Sequence, residues 1–409
     1  YGIFYLPTTG VYVRLGSTGF ESQTPYLASL DGGITPSGSL SNPYPNGIVW
    51  PSGSSLGAAT GIGTNSVGNL RSLKTGYSQQ WDFNIQRQLP GQWTLEAGYM
   101  ANRGVGLPAN RAYRYLPESA MARGSELQQM VDNPFSQLVS FGPLAAPQVP
   151  LATLLMTYPQ YTGMEGLDSW AGSTYHAGTV QLQRRFNRGF SLLLAYTFSK
   201  LLDDNLGNGG NNFTDSGSNS VQNWDNLRAE KSVSTSHQPH RLTISGSYAL
   251  PFGKSGHVLY RALAGGWQAN VIASMMSGNV ISVTANAPLY GGNRPNIVGD
   301  PSMENPTADR WLNRDAFVNI PAFTYGNGPR NLPRTLTQSL INFDTSLFKE
   351  AKFFERYTLQ FRAEAFNVAN RTTLGNPNAN INANNFGTIT SLRTNTAPRQ
   401  IQFGLKLYF

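Results

Sequence analysis

A chain of 409 residues, 40% hydrophobic but only 13% charged, has ample length for a core and less charge than a water-soluble enzyme usually carries. Cysteine is absent, which excludes disulfides and thiol chemistry, and no apolar run reaches the roughly 18 residues of a membrane helix; the nearest, Leu144 to Met156, is interrupted by Pro147 and Pro150. The formal net charge of +8 comes from scattered basic residues with no Lys/Arg run, which argues against nucleic acid and suits a surface rich in anionic lipid.

The chain opens at Tyr1 without a leader, as expected of a processed or partial chain. Tyr1 to Tyr5 reads as a strand tail, and Leu6 to Lys74 as loop, with turns at Asn46-Gly47 and Pro51-Ser52-Gly53. A first hairpin follows: Trp81, Phe83 and Ile85 alternate with polar residues, the chain turns at Pro90-Gly91, and Trp93, Leu95, Ala97 and Tyr99 return. Ala101 to Gly172 reads as irregular, with helical turns around Ser119 to Val131. In the second hairpin Val180, Leu182 and Phe186 lead to a turn at Asn187-Arg188-Gly189, and Phe190, Leu192, Leu194, Tyr196 and Phe198 return. Leu201 to Pro239 is a loop containing the low-complexity run Asn208 to Asn212. The third hairpin sets Leu242, Ile244, Tyr248 and Leu250 against Trp267 to Met275 across a turn at Pro251 to Leu263. Gly278 to Ser339 is expected to be another long loop. The fourth hairpin, Leu340 to Lys349, turns near Glu350 to Phe354 and returns as Tyr357, Leu359, Phe361, Ala363 and Ala365. Asn367 to Pro398 is a final loop, and the last strand alternates Ile401, Phe403, Leu405, Leu407 and Phe409 with Gln402, Gly404, Lys406 and Tyr408.

Long and short connections alternate without exception along this series. Successive antiparallel strands switch ends, so the short turns gather at one end and the long loops at the other, the asymmetry of an outer-membrane barrel with periplasmic turns and extracellular loops. The fold expected is all-β: about ten strands of a transmembrane, antiparallel, up-and-down β-barrel. The period-2 pattern points Trp81, Leu95, Leu182, Leu194, Ile244, Val271, Leu359 and Leu405 to lipid. It points Gln80, Glu96, Gln183, Thr197, Thr243, Asn270, Glu364 and Gln402 away from it. Arg87 and Arg184 interrupt the apolar rows close to short turns, where a long side chain can snorkel to the headgroups, and Lys200 sits at the loop end within reach of lipopolysaccharide phosphates. Trp93, Phe186, Phe190, Trp267, Tyr357 and Phe409 are expected to form one aromatic girdle, and Tyr77, Trp81, Tyr99 and Phe198 the other.

The terminal strand, ending on Phe409, resembles the C-terminal signature of bacterial outer-membrane barrels. That resemblance assigns Phe403, Leu405, Leu407 and Phe409 as a signal read by the barrel-assembly machinery. Tyr77 to Tyr99, Val180 to Phe186, Tyr196 to Lys200 and Leu359 to Asn367 together resemble the C-terminal barrel of TonB-dependent transporters, the Oar-like branch above all. The resemblance implies a barrel of roughly 22 strands with an N-terminal plug, and a TonB box that engages the energised inner-membrane complex. Neither plug nor TonB box is recognised here, so residues 1–409 are expected to be the C-terminal part of one barrel domain, with the plug, an N-terminal regulatory-like domain and the link to TonB upstream. The implied function is uptake of a bulky nutrient, a glycan fragment or metal chelate, with outer-membrane lipid and lipopolysaccharide as surroundings. A plug-less porin, a surface-adhesion barrel and a soluble all-β binding module are the alternatives.

Enzyme chemistry, metals and cofactors are not expected. Asp203, Asp204, His237 and His240 are the nearest thing to a catalytic or metal-binding constellation, but parity puts His240 on the apolar row with Leu242 and Ile244. Arg362 and Glu364 are expected side by side on the lumen face, chiefly for packing. The sequons at Asn212-Phe213-Thr214 and Asn370-Arg371-Thr372 carry little weight in a bacterial barrel.

Overall fold

The computed structural model describes residues 1–6, 19–24, 26, 28–69, 73–139, 142–204, 221–353, 356–394 and 396–409. The Asn208 to Asn212 run and the Asn212 sequon lie outside them. The chain divides into two compact units, one of Tyr1–Thr8, Thr75–Leu107 and Trp170–Phe409, the other of Thr9–Lys74 and Pro108–Ser169.

Most of the first unit is a meander, two of whose strands run on into residues of the second. The meander's strands are β1 (Gly2–Tyr5), β2 (Tyr77–Leu89), β3 (Trp93–Ala112), β4 (Gly163–Asn187) and β5 (Phe190–Asp203), then β6 (His240–Ala249), β7 (Trp267–Met276), β8 (Leu340–Phe353), β9 (Tyr357–Phe366) and β10 (Gln400–Tyr408). Each pairs with the next in chain order, the up-and-down path that short turns enforce. Short strands join at the margin: Ser232–Val233 pairs with β5, and Asn65–Asn69, in the second unit, runs parallel to β4 over 163–167, a departure from a purely antiparallel sheet. The β4–β5 hairpin turns on Arg188 (φ 50°) and Gly189 (φ 82°), both left-handed, the conformation that matches strand twist in a two-residue turn.

The registers lock one face together. Arg184 opposes Leu192, which opposes Gly246, then Val271, Thr345, Ala365 and Ile401 in unbroken succession. Because side chains alternate between faces, one such row fixes every other. Leu182, Leu194, Ile244 and Ala273 make the next row on the same face. Gln183, Leu193, Ser245 and Ile272 lie on the opposite face. The apolar rows are open: Phe83 is 65% exposed, Phe403 72% and Leu405 66%. In a soluble sheet these side chains would be the core.

The main differences from the sequence reading lie beyond the alternating segments. Ala101 to Gly172 is not irregular throughout, because β3 runs 20 residues to Ala112 and β4 begins at Gly163. Those extensions outlast the apolar alternation, since strand beyond the hydrocarbon layer needs no lipid-facing row. The third short connection holds a helix, Val258–Ala264, where only a turn is expected. In the fourth hairpin the strand pairing persists to Phe353 opposite Tyr357, past the expected turn at Glu350.

The buried core is in the long connections. Ile281, Val283, Trp311, Leu312, Phe317, Leu332, Ile381 and Phe386 form one cluster drawn from residues 277–339 and 367–399. Backbone bonds stitch the two segments: Ile381 N–H donates to Thr284 O at 2.9 Å, and Trp311 N–H to Gly387 O at 2.8 Å. The expectation of plain loops at Gly278 to Ser339 and Asn367 to Pro398 is therefore corrected. Their apolar residues are dispersed among Pro, Asn and Gly, so no periodicity announces them, and they meet only when both segments fold together.

In the second unit the expected helical turns appear at Glu118–Met121 and Gly124–Gln128. The apolar run from Leu144 is spent on a small core in which Leu127, Leu144, Val149 and Ala152 are buried. Asn133 donates to Leu144 O and Ala146 O, both at 2.8 Å. Arg111 and Asp168 pair at 2.9 Å.

Candidate binding cleft in the long connections

Two buried ion pairs pin this body together. Glu230, fully buried, takes Arg294 Nη2 on one carboxylate oxygen and Gln222 N–H at 3.0 Å on the other. Arg330 Nη2 donates to the Asp203 carboxylate and, at 2.9 Å, to Asp203 O. Asn331, also fully buried, donates to Val233 O at 2.7 Å and receives its neighbour's support through its own N–H to Ser232 Oγ at 3.2 Å. Residues 221–239 are thus clamped to 294–331 by charge and amide, and 277–339 to 367–399 by the apolar cluster.

Between these segments opens a cleft of about 440 Å³, bordered by Thr235, Asn279, Ser282, Asn376, Pro377 and Ala379. The polar side chains that border it are neutral, and the charged Arg393 reaches one of them. Asn279 Oδ1 accepts from Arg393 Nη2 at 3.2 Å, while Arg393 Nη1 and the Thr235 hydroxyl are buried without a hydrogen-bond partner among the described residues. Amides and hydroxyls around a pocket of this size are the groups that hydrogen-bond a ligand, and among the described lining residues none is a nucleophile paired with a base.

The Asp203, Asp204, His237 and His240 constellation does not assemble. Asp203 is engaged by Arg330. Burial pushes the Asp204 carboxyl above its ordinary value, with Lys231 pulling the other way. His237 Nδ1 accepts from Leu201 N–H at 3.2 Å, and burial, then the charge of Lys200, lowers its pKa. His240 sits opposite Phe198 on the apolar face, its Nδ1 2.8 Å from the Tyr196 hydroxyl. Among the described residues no group of His, Asp and Glu has the spacing of a metal site.

Arg362 and Glu364 lie on the face opposite the apolar rows, as parity demands. They do not pair with each other: Arg362 donates to Gln360 and lies 4.6 Å over the Phe348 ring, and Glu364 accepts from Gln402. Phe403, Leu405, Leu407 and Phe409 stand exposed in one row at the edge of the sheet. Glu230, Arg294, Arg330 and Asn331 were not legible as a site in the sequence, because the ion-pair partners lie 64 and 127 residues apart.

A meander whose apolar rows face outward, with a large buried cluster gathered in the connections rather than on the sheet, is the wall of a membrane-spanning β-barrel. The chain belongs to the outer membrane beta barrel domain family, whose description matches residues 1–402. It is a protein of the bacterial outer membrane, and its exposed apolar rows face lipid. Among solved structures it is similar to the outer membrane transporter YddB from Escherichia coli, with a TM-score of 0.41 and 10% identity over 85% of this chain and 34% of that one. The FrpB iron transporter from Neisseria meningitidis gives 0.34 and 9% over 84% and 33%. The ferripyoverdine receptor of Pseudomonas aeruginosa gives 0.36 and 11% over 82% and 27%. The chain spans about a third or less of these structures. Curated protein sequences give no match.

Proposed function

We propose that this chain is part of a TonB-dependent receptor barrel that takes up a bulky nutrient, a glycan fragment or a metal chelate, captured by the long connections and passed along the inner wall. The observation that carries the reading is the ordered body at the loop end. Ordering a long connection costs about 1–2 kcal/mol per residue of backbone entropy, and an open pore has no use for that expense, whereas a receptor needs a fixed surface around its ligand. The neutral amide and hydroxyl groups of the Asn279–Asn376 cleft suit a polyhydroxyl ligand or the organic shell of a chelate. In this reading Arg362 and Glu364 line the interior, the plug and the contact with TonB belong to protein outside this chain, and Phe403 to Phe409 serve the assembly machinery.

The test is uptake by cells carrying the full-length protein, offered a panel of oligosaccharides and ferric chelates with and without a working TonB complex. Saturable uptake that requires the complex supports the proposal. Uptake that persists without it indicates a porin, and uptake of nothing on the panel favours adhesion. Asn279→Ala with Asn376→Ala should weaken capture about tenfold, the loss of one or two ligand hydrogen bonds.

A further inference from the structure

On the apolar face of the sheet there is a hollow of about 480 Å³, within the roughly 300–1,000 Å³ typical of small-molecule sites. It exists because Gly246, Ala269 and Ala363 are small where the rows around them carry Leu192, Tyr248 and Leu347. An outward face that only had to dissolve in lipid would need no such hollow. Ser247, Asn270, Ser346 and Glu364 also border it, but its exposed lining is mostly apolar and suits hydrocarbon.

At the short-turn end of this hollow stands Arg184. It belongs to the same apolar face, opposite Leu192, and its guanidinium lies 5.5 Å from the Trp93 ring centre and 5.3 Å from that of Phe190. Phe190 also lines the hollow, so cation and hollow share a wall. Arg184 Nε is buried without a hydrogen-bond partner among the described residues. Lys349, another cation on this face, is already engaged: its Nζ donates to Gly265 O and lies 5.6 Å from the Trp267 ring. A half-exposed guanidinium seated on two rings and carrying an unspent Nε suits an anionic acceptor, and phosphate matches its planar fork. Arg188, exposed in the adjoining turn, adds a second positive charge and favours a net-negative headgroup over a zwitterion.

We infer that this face holds one anionic phospholipid of the inner leaflet, its phosphate on Arg184 and an acyl chain in the hollow around Gly246. The leaflet follows from the topology, since the short turns mark the periplasmic end. The bound lipid completes the wall where the side chains are too small to do so.

Native mass spectrometry of the full-length protein, purified from outer membranes in mild detergent and offered equal phosphatidylglycerol and phosphatidylethanolamine, tests this. One phosphatidylglycerol should be retained per barrel in preference to phosphatidylethanolamine. Arg184→Gln should abolish the preference, and Gly246→Leu, which fills the hollow, should cut retention of both lipids about tenfold or more. Ala363→Leu serves the same purpose if Gly246→Leu does not reach the heat-modifiable folded form. Equal retention of both lipids, unchanged by these substitutions, would show annular lipid only and overturn the inference. Retention of lipopolysaccharide or of a second protein copy in the lipid's place would overturn it too.

Discussion

Removing Arg294 from beneath Glu230 should release the whole loop body. Glu230 is fully buried and Arg294 is 5% exposed, so neither charge can recover its hydration when the other is lost. After Arg294→Met the carboxylate keeps the Gln222 N–H bond at 3.0 Å but loses its counter-ion. Breaking one side of a buried pair costs about 3–5 kcal/mol, whereas replacing both sides with apolar groups costs far less. Arg294→Met and Glu230→Leu should therefore each be severe, and the double variant milder than either. Because the membrane strands hold their own pairing, the loss should appear as local opening rather than global unfolding. The assay is amide hydrogen exchange on protein in micelles, read at Leu332, whose N–H bonds to Ile281 O at 2.8 Å, and at Asn331. Opening free energy reduced by 3–5 kcal/mol speeds exchange about a hundred- to a few-thousand-fold. Single variants exchanging within about threefold of the parent would refute the reasoning, because the pair would then be screened by water and the three connections would not open as one unit.

His237 supplies a pH-dependent counterpart. Its folded pKa is depressed below the ordinary 6.5 by burial, so the unfolded segment binds a proton more readily than the folded one. Its contribution to stability is complete above that value and is lost as pH falls through the interval beneath it; exchange at Leu201, corrected for intrinsic rate, should rise from pH 7.5 to 5 in the parent and stay flat in His237→Gln. A fluorophore attached to single cysteines, introduced into a chain that has none, should be quenched by bilayer-embedded bromolipid at positions 182 and 405 but not at 183 and 402, and equal quenching would overturn the two-faced wall. Deleting Phe409, already 87% exposed, should leave the packing of the sheet intact yet abolish insertion, because a side chain worth at most about 1.5–3 kcal/mol on full burial would be lost as a recognition element. Normal heat-modifiable migration of the truncated protein would remove that role.

How much could be read in the sequence depended on what each segment faces. Strands between lipid and an interior must alternate, so Leu182, Leu194, Ile244, Leu359 and Leu405 declared both strand and face, and the short turns at Gly91 and Arg188-Gly189 declared the order. The loop body has no such regularity. Ile281, Trp311 and Ile381 belong to one core only because distant connections meet, and single-segment periodicity carries no trace of that meeting. Glu230 and Arg294 are 64 residues apart and become partners for the same reason. Parity on the strand was enough to set His240 apart from Asp203 and His237, but the sequence could not show that Asp203 is held by an arginine 127 residues away.

The interlocking of these connections also governs what the cell surface can change. Loops that each stand alone can drift separately under pressure from phage or antibody. Here a substitution in 221–239 is felt at Arg294 and Arg330, and one in 367–399 at Trp311. Residues least tied into this body, such as the exposed Glu304 to Pro306, are where substitution disturbs it least. They are also where a foreign peptide could be displayed without dismantling the body beneath it.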